Sequence, residues 1–235
     1  MPGSCQRLRL PSLAPLVKHE KSEFLKRKEQ HRVVMMGSAK VGKSSIISQF
    51  LYDKYLSRYR QTVEELHRGE YELPDGESLT LDILDTSGAY QFPAMRALSI
   101  STAGAFILVY AVDDANSWKE VEMLRNQIID CRGHRVPIVV VGNKVDLMDR
   151  QIEKDYVESI VCDDWCCGYM ECSAKENIGI IEVFKELLVQ AKIRYNLSPA
   201  VRRRRQSLPS YSAQNTNTKL HSTKYSLKRH SCTVA

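Results

Sequence analysis

Short runs of consecutive apolar residues alternate along the middle of the chain with segments where apolar residues recur every three or four positions. The runs fall at 32–36, 79–84, 105–112, 136–141 and 169–172. Unbroken apolar runs, as opposed to an in–out alternation, are the mark of strands covered on both faces of a parallel sheet. The helical patterns are 44–54, with Ile46, Ile47, Phe50 and Leu51 on one face, 117–131, with Val121, Leu124, Ile128 and Ile129, and 178–195, with Ile180, Val183, Phe184, Leu187 and Leu188. Strand–helix alternation of this kind predicts a doubly wound α/β sheet. One pair departs from it: 67–73 and 78–84 flank Pro74-Asp75-Gly76-Glu77, whose turn chemistry predicts an antiparallel hairpin at a sheet edge. The expected architecture is a mostly parallel six-stranded sheet with one antiparallel edge hairpin, flanked by helices.

Patterning ends near residue 195. The chain therefore divides into a polar arm (1–30), a folded domain (31–195) and a basic tail (196–235) too poor in apolar residues to fold. The formal net charge is +6, yet between Ile193 and Ala235 there are nine Lys/Arg and no Asp/Glu, so the positive excess sits in the tail. Such a tail suits an anionic membrane surface or a nucleic acid. Seven cysteines, an odd count without a secretory leader, predict free thiols in a reducing compartment. Cys162, Cys166 and Cys167 lack the paired CxxC spacing of a zinc site.

Gly37-Ser38-Ala39-Lys40-Val41-Gly42-Lys43-Ser44 fits GxxxxGK(S/T), between a strand and a helix. Glycines let the backbone curl until successive N–H groups face phosphate oxygens, and the helix that begins near Lys43 and Ser45 adds its dipole. Lys43 reaches the β- and γ-phosphates, and the Ser44 hydroxyl ligates Mg²⁺. This is the P-loop NTPase arrangement. The base is read from Asn143-Lys144-Val145-Asp146, beyond a strand's carboxyl end. A carboxylate at Asp146 accepts from guanine N1–H and N2–H₂, whereas adenine offers no such pair, so an ATP-using kinase or ATPase is opposed. The Lys144 stem can lie along the base, and in Ser173-Ala174-Lys175 the Ala174 N–H can donate to guanine O6.

With these three motifs the sequence resembles the Ras family of small GTPases. The resemblance implies GTP/GDP and Mg²⁺ as ligands and supplies further roles. Asp85-Thr86-Ser87-Gly88 matches the second-switch DxxG, with Asp85 holding Mg²⁺ through water and the Gly88 N–H on the γ-phosphate. Thr62 matches the first-switch threonine that ligates Mg²⁺, and Tyr55 the aromatic against the base. Lys43, Thr62 and Gly88 would form the catalytic set. Val63, Glu64 and Glu65 would meet effector proteins, and exchange factors and activating proteins are implied as further partners. Phe92-Pro93-Ala94-Met95-Arg96 and the long basic tail resemble the Dexras/Rhes branch and its relatives, including the Ras-dva group.

Two departures bear on chemistry. Ala89 stands where the family usually has a glutamine that orients water, and Ala39 where many relatives have glycine. Positioning and charge stabilisation supply nearly all phosphoryl-transfer catalysis, so slow hydrolysis is expected. A mostly GTP-loaded binding module is the alternative to a cycling switch. The chain ends Cys232-Thr233-Val234-Ala235, a C-a-a-X pattern that makes Cys232 the expected lipidation site, a prenyltransferase a partner, and the cytoplasmic face of the plasma membrane the expected location. A single lipid holds weakly, and the tail's basic residues would supply the second signal. Nucleic acid is not an expected partner.

Overall fold

The structure is a computed structural model that describes residues 28–72, 78–88 and 93–193. Strands β1 (Lys28–Met36), β2 (Glu64–Glu72), β3 (Ser78–Thr86), β4 (Ala105–Ala111), β5 (Ile138–Asn143) and β6 (Gly168–Glu171) form one sheet in the order β2-β3-β1-β4-β5-β6. All neighbours are parallel except β2 and β3. The helices are α1 (Lys43–Tyr52), α2 (Pro93–Thr102), α3 (Ala115–Arg132), α4 (Lys154–Glu158), which runs into a π-helical turn at Ser159–Asp164, and α5 (Ile180–Gln190). The six strands and the antiparallel pair are as expected, and every residue of β4 and β5 is buried.

Each face of the sheet carries its own core. Ile46, Ile47 and Phe50 of α1 pack with Val183, Phe184 and Leu187 of α5 on one side, where the Phe50 and Phe184 rings stack. Val121, Leu124 and Ile128 of α3 cover the other, with Phe106, Leu108 and Tyr110 of β4. The edge strand β2 is pinned by charge as well. Arg68 lies opposite Asp82 in the β2–β3 register and grips both its carboxylate oxygens, at 2.7 and 3.2 Å. The Arg68 guanidinium holds the Asp82 carboxyl below the usual range, against the effect of its burial.

Several boundaries differ from the sequence reading. β1 starts at Lys28, so residues 28–30 belong to the sheet and not to the arm. Here parallel pairing with β3 from Lys28 onward overrides a polar local sequence. β2 starts at Glu64 and not at 67, so Glu64 and Glu65 sit at the head of the strand. Asn143 is the last residue of β5, not a residue beyond it. Helices α2 and α4 have no counterpart in the apolar patterns. The turn at 74–77 and the tail lie outside the described residues. Among the described residues no helix is long and apolar enough to cross a membrane.

Candidate nucleotide site

β1 lies beside β4; the connection after β1 leads to β2 on one side of the sheet and the connection after β4 leads to β5 on the other, so the crevice of the fold opens beyond their carboxyl ends. The loop from Gly37 to Gly42 occupies that crevice. Gly37 has φ 139° and its Cα lies so near β4 that an added Cβ would be 2.1 Å from the Val109 carbonyl oxygen. Gly42 caps α1 at φ 100° and supplies no side chain to the first turn. No acidic residue occupies that turn either, so its N–H groups are left to an incoming anion.

The Lys43 ammonium, nearly buried, donates to the carbonyls of Gly37 at 2.9 Å and Ser38 at 2.8 Å, which curls the loop around a positive charge. Burial pulls its pKa down to about 8, against the attraction of Asp85 and Glu120. Beneath it, burial pushes the Glu120 carboxyl up to about 7, opposed by the Lys43 charge. Glu120, on α3, was not singled out from sequence, since nothing in the local pattern ties it to the loop. A carboxyl whose folded pKa is raised favours the folded state below its unfolded value of 4.5 and loses that contribution as pH rises through about 7. Glu120→Gln is therefore expected to stabilise the nucleotide-free protein at pH 8 and to change little near pH 4.5. Urea denaturation at the two pH values measures this. An equal effect at both would contradict it.

Three side-chain oxygens converge at the start of α1. Ser44 Oγ donates to Asp85 Oδ2 at 2.5 Å and lies 3.0 Å from Thr62 Oγ1. Asp85 Oδ1 is buried with no hydrogen-bond partner, and burial raises the Asp85 carboxyl despite the Ser44 hydrogen bond. Among the described residues no cluster of three His, Cys, Asp or Glu could hold a metal. The set here is different: two hydroxyls and one carboxylate, all hard donors. Adjacent ligands of an octahedral ion at ~2.1 Å sit ~3.0 Å apart, the separation of Ser44 and Thr62. The orphaned carboxylate oxygen and this spacing fit a small hard dication.

The second switch closes on the same loop. A Cβ on Gly88 would lie 2.3 Å from the Ala39 nitrogen, so backbone meets backbone there. Ala89 itself lies outside the described residues, as does Cys232. Glu64 Oε1 accepts from Ser99 Oγ of α2 at 3.2 Å, which ties the first switch to the second. Glu65 and Val63 project into solvent. A cavity of about 60 Å³ separates the two switches, with Gly37, Val63, Glu64, Thr86 and Ser99 in its wall.

At the other end, Asn143 is a buried strut. Its Nδ2 donates to the Val41 carbonyl at 2.8 Å, and its Oδ1 accepts from the Ala174 N–H at 3.1 Å. The Ala174 N–H expected on guanine O6 thus serves this strut in the structure. Asp146 Oδ1 accepts from Ser173 Oγ at 2.6 Å, and Lys175 stands 3.7 Å from its other oxygen. Lys144 adopts φ 71° and pairs with Asp113 at 3.0 Å, a partner that sequence spacing gave no reason to expect. Tyr55, in the loop after α1, is exposed. The three sequence motifs thus lie beyond the carboxyl ends of β1, β5 and β6, on one side of the molecule.

The model of the Ras family matches residues 32–193, which spans every element of this site. The chain belongs to the Ras family. It is similar to GTP-binding protein Rhes of Homo sapiens, 40% identical over 188 residues, covering 75% of this chain and 70% of that protein. It is as similar to the Rhes proteins of Mus musculus and Rattus norvegicus, each 40% identical over 185 residues, covering 74% of this chain and 69% of the relative. As a Ras-family small GTPase near the Rhes branch, the protein binds and hydrolyses GTP. The Ras-family reading also accounts for the buried, unpartnered Asp85 Oδ1 beside the phosphate loop, where the nucleotide binds.

Proposed function

We propose that this Ras-family protein is a membrane-anchored switch that binds GTP and GDP with Mg²⁺, hydrolyses GTP slowly, and signals to effector proteins through Val63, Glu64 and Glu65. The convergence of Ser44, Thr62 and Asp85 carries the reading, because it draws a loop residue of the first switch onto the phosphate cradle. In this role Ser44, Thr62 and Asp85 would hold the ion. Held there, the ion would supply positive charge to offset that of the phosphates. Lys43 adds positive charge to the leaving phosphate, and Gly88 offers a backbone N–H to the γ-phosphate. Loss of that phosphate removes the demand on Thr62 and Gly88, and both switches relax.

Ala89 supplies no hydrogen bond to an attacking water, and this supports slow turnover. Ala89→Gln is expected to raise the single-turnover rate at least tenfold. Hydrolysis by the natural sequence as fast as that of an ordinary Ras protein with its activator would sink the proposal. A second reading, a predominantly GTP-bound binding module with negligible hydrolysis, is favoured by the crowding of Gly88 onto Ala39, where a water-orienting group must pass. The nucleotide on purified protein separates them: mostly GTP supports the module, mostly GDP the cycling switch.

Prenylation of Cys232 at the cytoplasmic face of the plasma membrane, aided by the basic tail on anionic lipid, completes the proposal. Cys232→Ser is expected to move the protein into the soluble fraction. A variant that stayed with membranes would remove this part alone.

A further inference from the structure

Lys40 sits in the middle of the phosphate loop with φ 64°, in the left-handed region. A residue with a side chain is held there at a cost of about 1–3 kcal/mol that glycine would avoid. Such strain in a binding loop calls for a function of the side chain. Unlike Lys43, Lys40 is exposed, and its Nζ stands 5.7 Å from the centroid of the Tyr59 ring, within cation–π range. Tyr59 belongs to the first-switch segment between α1 and β2, three residues before Thr62 and more than half exposed. That segment contains no helix or strand between Asp53 and Val63. It is fastened to the cradle at two places: Thr62 to Ser44 at one, Tyr59 to Lys40 at the other.

The two fastenings differ in kind. The Thr62 contact is built from ion ligands and depends on the ion and the phosphate that hold them. The Lys40–Tyr59 contact needs only an ammonium and a ring. We propose that Lys40 is a positioning residue that latches the first switch over the bound nucleotide through Tyr59 and so slows nucleotide release in the diphosphate state as well as the triphosphate state. This rests on guanine-nucleotide binding, but goes beyond it. The backbone strain at Lys40 is the local penalty for placing a cation at the mouth of the cradle, and Tyr59 is what the cation reaches.

The test is a double-mutant cycle on release of fluorescent GDP from the Mg²⁺-loaded full chain. Lys40→Gly and Tyr59→Ala are each expected to speed release about three- to fivefold. The double variant should be no faster than either single variant, because each removes the same contact. Lys40→Arg and Tyr59→Phe, which keep a cation and a ring, should restore slow release. Because Lys40→Gly relieves strain, the nucleotide-free protein should unfold at no lower temperature, a split that a merely structural role would not give. Unchanged release in Lys40→Gly would overturn the latch. So would multiplied effects in the double variant, which would place Lys40 on the phosphates and not on Tyr59. Either failure would be seen in a protein that still binds GDP, and so would leave the nucleotide assignment standing.

Discussion

Asp146→Asn is expected to weaken guanosine nucleotide binding by about a hundredfold or more and to turn the preference toward xanthosine nucleotides. Asp146 is nearly buried, and one of its oxygens is already engaged by Ser173 at 2.6 Å, which fixes the plane of the carboxylate. A carboxylate so held accepts from the two adjacent N–H groups of guanine, each hydrogen bond to a charged group contributing about 1.5–3 kcal/mol. An asparagine amide presents a donor to the guanine amino group, two donors face to face, whereas xanthine has a carbonyl at that position and accepts. Calorimetry with GTP, XTP and ATP on the folded, Mg²⁺-supplied protein reads the result. Unaltered GTP affinity would show that Asp146 does not touch the base.

The second large effect is on the cradle itself. Gly37→Ala should destabilise the protein by about 3 kcal/mol or more and abolish nucleotide binding. The new methyl would lie 2.1 Å from the Val109 carbonyl oxygen, and φ is 139°. Both walls are buried strands, β1 and β4, that pair in parallel register, so neither can yield without opening the sheet. Gly133→Ala is the internal control. It too has a positive φ, 74°, but no atom lies within 4 Å of the added methyl. Only backbone strain, about 1–3 kcal/mol at φ 74° and ψ 178°, is expected there. Urea denaturation compares the two. Equal losses would mean that conformation, and not crowding against Val109, sets the penalty.

The contrast between these glycines shows what a sequence can and cannot carry. The eight-residue phosphate loop was legible because its function fixes residue types at fixed spacing. The buried strands were legible because β4 and β5, covered on both faces, must be apolar throughout. Helix α2 was not, for a physical reason: of its residues only Ser99 and Ile100 are buried, while Met95 and Leu98 are exposed, so no apolar stripe marks it. Helix α4 is five residues long and passes into a π turn, which breaks the period a pattern search relies on. The start of β2 was missed because Glu64 and Glu65 are poor strand formers, held in place by their register with Asp85 and Thr86.

Within the site the motif residues were legible and their supports were not. Asp113 beneath Lys144, Glu120 behind Lys43 and Ser99 against Glu64 come from distant parts of the chain and belong to no motif. Arg150 likewise grips Glu171 with two hydrogen bonds, at 2.8 and 3.0 Å, while Tyr169 and Tyr110 extend the chain of contacts into the core. These partners are set by which strands the topology makes adjacent, which local pattern does not encode.

Asn143 has a wider consequence. With one amide it braces Val41 on the phosphate side and Ala174 on the base side, and an added Cβ on Gly42 would collide with it at 2.2 Å. The site therefore has a built-in gauge length between its two poles. Ligands can vary where the phosphate chain emerges toward solvent, but a spacer inserted between purine and phosphates would miss one pole whenever it met the other.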